Sequence, residues 1–367
     1  MAEAVSSRRN GKSDAARLLL AAARERFAVA ATDLLLPDQA RLTEWQRITA
    51  ARLLSRLVRT VEEELRARLA EHFERHDALH AALSSAHVPI ALPILERAQA
   101  LRDPEITTIL VRRVEEHRFW KAREPVPDKV GEYLYELVRD EEEEIAGEAM
   151  ALVIARSRRF DRFEEPVMAR VELPAELQHR LVWMVAAALR QYVVQQHEVG
   201  AVDGAVEEAA GALVAGYDEG ETLEAVAMRL ARHLYRNGRL DGSALSRIAA
   251  DGMLPLFIAG LSVLCALDPS AAWEVLSDPR GRGPALMLRA AGIERDEAAA
   301  ILLALSARGP LFSGAEGDAA AEQLELFDTV DVAAAREVLR LWQAHPAYRA
   351  AVARISTRAR SAAAEAA

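Results

Sequence analysis

Apolar and polar positions follow one another with the period of a helix along almost the whole chain. In LTEWQRITAARLLSRLVRTVEEELRARLAEHF (42–73), Ile48, Leu53, Leu54, Leu57 and Val58 keep helical spacing. The stretch is long for one globular helix, so a break or kink is expected near Arg59 to Glu62. Residues 13–31 carry the same pattern until Leu34-Leu35-Leu36-Pro37 ends it. DKVGEYLYELVRD puts Val130, Tyr133, Leu134, Leu137 and Val138 on one face. TLEAVAMRLARHLYRNG stripes Leu223, Val226, Leu230 and Leu234, and Asn237-Gly238 reads as its C-cap. PAELQHRLVWMVAAALRQYVVQQHEVG predicts one long helix. SALSRIAADG, MLPLFIAGLSVLCALD, PSAAWEVLSD, PALMLRAAG and DEAAAILLALSA follow, each closed by Gly or Asp or running into a Pro. AAAREVLRLWQAH and AYRAAVARISTRARS close the chain, with His345-Pro346 at the corner. No segment shows sustained alternation of period two, so no sheet is expected.

Short helices are marginal alone in water and stack to share a core. VRTVEEELRARLAEHF, SSAHVPIALPILERAQAL and VRDEEEEIAGEAMALVIARS each pair a polar, often acidic, opening with an apolar helix, as a loose internal repeat. The expected fold is therefore all-α: irregular HEAT-like helical repeats, an α-solenoid, continuing into a C-terminal helical bundle. The expected organisation is a polar tail at 1–12, a helical-repeat region at 13–172 and a helical region at 173–306. A linker at 307–322 and a helical hairpin at 323–367 complete it.

Composition narrows the function. Alanine, leucine, glutamate and arginine dominate, and aromatic residues make up only 5%. The net charge of −10 argues against a general nucleic-acid binder, which needs surplus Lys and Arg on one face. The lone Cys265, inside LSVLCAL, allows no intrachain disulfide and reads as a small buried hydrophobe. SSRRNGKSDAARLLLAAARERFAVA has a twin arginine, but its apolar run is too short for a signal peptide and Arg24, Glu25 and Arg26 interrupt it. LVWMVAAALRQYVV carries Arg190 and falls short of a membrane span. A cytoplasmic protein without a membrane span is expected.

Four stretches resemble a known family: LPAELQHRLVWMVAAALRQY (173–192), the block from Ala227 to Ile293, DTVDVAAAREVLRLWQAHPAYRAAVARI, and HVPIALPILERAQALRDPEI. Together they resemble the bacterial domain of unknown function 2336, typical of alphaproteobacteria, over most of residues 40–355. The resemblance implies an all-helical, repeat-like fold and a cytoplasmic location. It carries over no catalytic residue and no cofactor.

Candidate chemistry is sparse. LSDPRGRGPALMLRAAGI places Gly281, Arg282 and Gly283 before a helix, the arrangement of an anion-binding loop. The competing reading is a turn: Asp278-Pro279 ends one helix, the glycines turn the chain and Pro284 starts the next. His72 and His76, four apart with His80 beyond, are candidate metal ligands or helix-end histidines. Asp140 to Glu144 is a carboxylate cluster or the acidic start of a helix. Arg349, Arg354, Arg358 and Arg360 form a basic, solvated face. Trp120, flanked by Arg118, Lys121 and Arg123, is a candidate interaction surface. The nucleophile-elbow, Walker and dinucleotide-loop motifs are missing from the sequence.

These observations point to a non-catalytic helical-repeat protein binding a protein partner, with no cofactor and with homo-oligomerisation left open. The alternatives are a HEAT-like-repeat enzyme or nucleic-acid-processing protein, which needs a basic concave stripe, and a ligand-sensing regulator, which needs a closed apolar pocket.

Overall fold

The computed structural model describes residues 42–345 except 74–76, 86–87, 122–131, 161–164, 198–199, 201, 279–280 and 308–318, together with 347–349, 351–352 and 355. The helical segment expected at 13–31 lies outside the described residues. In chain order the helices begin with α1 (Glu44–His72), α2 (Asp77–Ser84), α3 (Ala91–Arg97), α4 (Pro104–Lys121), α5 (Glu132–Val138) and α6 (Glu143–Ser157). A 3-10 turn at Arg170–Glu172 leads to α7 (Ala175–Gln196) and α8 (Val202–Ala215); another at Glu219–Glu221 leads to α9 (Leu223–Arg236). Then come α10 (Gly242–Ala250), α11 (Leu254–Cys265), α12 (Pro269–Leu276), α13 (Gly283–Ala291), α14 (Arg295–Ser306), α15 (Ala319–Thr329) and α16 (Val332–Leu339). The described residues contain no strand, only an isolated bridge between Phe160 and Pro166.

The chain forms two compact units, each drawn from separated stretches: Leu42–Glu115 with Val153–Val226, and Glu116–Leu152 with Ala227–Ala367. In the first unit α1 packs on α2, α3, α7 and α8. Thr43 starts α1 with a capping box: its hydroxyl accepts from Gln46 N and the Gln46 side chain accepts from Thr43 N. The expected break near 59–62 is absent. α1 runs unbroken for 29 residues because Val58, Val61 and Leu65 in its middle are buried and no proline or glycine interrupts it. Ile48, expected on the apolar face, is 44% exposed. VRTVEEEL is therefore the interior of a helix, not the polar opening of a repeat.

Glu62 explains how that interior accepts a carboxylate. It sits between Val58 and Leu65 on the core face and is fully buried. Its oxygens accept from Ile90 N at 2.7 Å and Ala91 N at 3.0 Å, where α3 begins. Arg66, one turn on, pairs with Glu62 at 3.1 Å. Its remaining donors reach Leu83 O, Val88 O and Ala82 O at 2.7–2.9 Å, and also Ser85 O. A short helix leaves its first N–H and last C=O groups without internal partners. Here one ion pair from α1 closes the end of α2 and the start of α3.

In the second unit α10 lies against α14, and α13 against α15 and α16. Leu256, Phe257, Leu288, Ile301 and Trp342 are buried there. Side-chain caps start α10, α12 and α16: Asp241 on Ala244 N, Asp268 on Ser270 N and Ala271 N, Asp331 on Ala334 N. Asn237-Gly238 ends α9 as expected, with Gly238 at φ +65° and Arg239 N donating to Leu234 O at 2.8 Å. Leu223, Val226, Leu230 and Leu234 are all buried. Of the linker expected at 307–322, residues 319–322 are the first turn of α15, and 308–318 lie outside the described residues.

Replacing Arg66 by Ala strands a buried carboxylate and several carbonyls, so it should cost about 3–5 kcal/mol in urea unfolding. Arg59→Ala, which breaks an exposed pair with Glu63, should change stability by less than about 0.5 kcal/mol.

Candidate functional site

In the glycine loop, Arg282 is engaged by a carboxylate of its own chain. Asp278, with a side chain 0% exposed, accepts from Arg282 N at 3.3 Å and from Arg282 Nε at 3.2 Å. A carboxylate from within the loop thus takes Arg282 N and Nε, while Arg282 Nη2 is buried with no hydrogen-bond partner among the described residues. Gly281 takes φ +68° to turn the chain. Gly283 answers a different need: a Cβ there would stand 1.7 Å from Val275 O, so α13 can start against the backbone of α12 only without a side chain.

His72 is the last residue of α1, its ring 5.6 Å from that of Phe73; His76 lies outside the described residues. His80 turns back, Nδ1 3.0 Å from Ala70 O. The described residues hold no group of three metal-binding side chains. Arg118, Trp120 and Lys121 sit in the last turns of α4, with the Trp120 ring 6.1 Å from that of His117; Arg123 lies outside the described residues. The acidic run and Glu148 meet α9 and the residues just after it: Asp140 on Arg239 at 2.6 Å, Glu142 on Asn237 at 2.7 Å, Glu144 on His233 at 3.1 Å, Glu148 on Arg229 at 2.8 Å. The Arg239 guanidinium holds the Asp140 carboxyl below its ordinary range. Arg349 is not part of a solvated face. It is 7% exposed because Glu274 binds its guanidinium at 2.6 Å; Arg354, Arg358 and Arg360 lie outside the described residues. Cys265 is buried, and desolvation pushes its thiol up to about 12, far from a reactive thiolate.

The sequence reading missed two features of the first unit. One is a buried ionic cluster. The turn at Arg170–Glu172 points the Glu172 side chain, 2% exposed, at Arg159 Nε (2.5 Å) and Arg113 Nη2 (3.1 Å). Glu224 closes the cluster, 2.7 Å from Arg159 and 3.6 Å from Arg113. Arg112 lies 3.9 Å from Glu224. Desolvation pushes Glu172 up to about 7, against the pull of Arg113 and helped by the charge of Glu224. Nearby, Tyr217 donates its hydroxyl to Leu173 O, and burial pushes that phenol up to about 12. A carboxyl poised near neutrality suits acid–base chemistry, but this one is sealed behind arginines and has no solvent access. The paired arginines at 112–113 and 158–159 were its only trace in the sequence.

The other is an open hollow of about 640 Å³ on α7, lined by Glu176, His179, Arg180, Trp183, Met184 and Ala187, with Glu105 from α4. Trp183 is 39% exposed and 6.3 Å from the His179 ring. Arg180 is bracketed by Asp103 at 3.1 Å and by Glu105. In the sequence Trp183 sits inside the apolar run LVWMVAAA, with nothing local to mark it as exposed.

Residues 90–340 match the model of a family described as an uncharacterised protein conserved in bacteria, DUF2336. No curated protein and no solved structure matches the chain.

Gly283→Ala should lower stability by about 1–3 kcal/mol in urea unfolding, through the clash with Val275. The Glu172 carboxyl is raised in the fold from 4.5 to about 7. Its contribution is therefore fully present below about 4.5 and is lost as pH rises to about 7. Glu172→Gln should gain stability relative to wild type across that window, whatever the fixed offset between them. Parallel stability–pH curves for the two proteins would refute this.

Proposed function

The chain belongs to that bacterial family, and we propose that it is a non-catalytic interaction module of the cytoplasm, binding a protein partner through the outer face of α7. The observation that carries this reading is the Trp183 hollow. A large aromatic side chain, 39% exposed beside Met184 and Ala187, is the kind of anchor that protein interfaces favour. Interfaces need no reacting group, and the polar groups around Glu172 and Glu62 are turned inward and engaged. The helix pairs α7–α8, α11–α12 and α14–α15 pack as consecutive neighbours, which supports an irregular HEAT-like repeat arrangement. No single helix among the described residues is long and apolar enough to cross a membrane.

A photo-crosslinking residue at position 187, inside the hollow, should form one dominant protein adduct in the native host. Trp183→Ala in the same chain should abolish it, and a crosslinker at position 303, an exposed site on α14, should not form it. Adducts insensitive to Trp183, or turnover of a substrate by the pure protein, would overturn the reading.

A further inference from the structure

The charge around the hollow specifies the partner more closely. The lining of the hollow sets two carboxylates, Glu105 and Glu176, against one guanidinium, Arg180, a formal balance of −1; Asp103 adds a carboxylate on Arg180, and the exposed Arg102 stands beside it in the sequence. The Arg180 guanidinium is already spent. Asp103 holds it at 3.1 Å while capping α4 through Glu105 N (2.9 Å) and Ile106 N (3.2 Å), and Glu105 binds it from the other side. Glu176, exposed one turn before Arg180, adds charge to the lining that Trp183 shares two turns along α7. An anionic partner would meet carboxylates and find Arg180, the guanidinium in the lining, already paired with Asp103 and Glu105. A cationic side chain would meet a carboxylate, an indole face and, for its methylene stem, Met184 and Ala187.

We propose that the hollow on α7 docks an arginine- or lysine-bearing segment of a partner protein, with a cationic head over Trp183 and against Glu176. This rests on the interaction-module reading and names the chemistry of its partner. Charge complementarity selects this occupant over an acidic peptide or a nucleic acid.

The probe is a fluorescently labelled eight-residue peptide alternating arginine and alanine, with a glutamate–alanine peptide as its counterpart, each titrated by anisotropy against the full chain. The arginine peptide should bind and the glutamate peptide should not. Glu176→Lys and Trp183→Ala, both at exposed positions, should each weaken binding about fivefold to tenfold. Leu303→Ala, at an exposed apolar site on α14, should leave it unchanged. Raising salt should weaken binding further. Equal binding of both peptides, or arginine-peptide binding indifferent to Glu176 and Trp183, would overturn the proposal. Self-association of the full chain that depends on Trp183 and displaces the peptide would also overturn it, assigning the hollow to a second copy. If the crosslink at 187 forms but the arginine peptide fails, the basic chemistry falls and the interaction module stands. If both fail, the module reading falls with it.

Discussion

Helices end in carbonyl and amide groups that nothing inside the helix can satisfy, and ten of the sixteen α-helices among the described residues span twelve residues or fewer. The recurring answer is a long polar side chain sent from a neighbouring helix to the exposed end. Arg66 and Glu62 do this for α2 and α3. Arg289 Nε reaches Val330 O just past α15, Arg336 Nε reaches Ala290 O at the end of α13, and Gln343 reaches Cys265 O at the end of α11. Asp251 meets Tyr133 N at the start of α5 from 118 residues away. Each such bond fixes where one helix stops against the flank of another, which hydrophobic contact alone leaves free to slide.

That constraint bears on function. Of these fasteners Glu62, Arg66 and Asp251 are buried and engaged, and are poorly placed to meet a substrate. Glu172 shows the tension most clearly. Burial moves its carboxyl into the range useful for catalysis, and the same burial closes it to any reactant. The Trp183 hollow is the opposite case, with groups of ordinary chemistry held open to solvent on the rigid surface of a long helix. Binding there asks only for shape and charge.

The helices were largely legible because their signals are local. The stripe of α9, its Asn237-Gly238 ending and the turn at Gly281 are all written in adjacent residues. The unbroken α1 was not, because its length depends on burial of Val58 and Val61 against residues far along the chain. Glu62 and Arg66 look like any charged helix surface until α2 and α3 are placed beside them. Arg349 misled for the same reason: nothing near it in sequence announces Glu274. Gly283 looked like a conformational glycine and is in fact a matter of space. Features built from distant pairs left no local mark.

Amide hydrogen exchange at Ile90 and Ala91 tests the fastening role of buried charge most directly. In the wild type both amides should be protected nearly as well as those in the middle of α1. In Glu62→Leu, which keeps the apolar bulk and removes the acceptor, they should exchange fast while α1 stays protected. Unchanged slow exchange at both positions in that variant would contradict the central claim that side chains from neighbouring helices hold the helix ends in place.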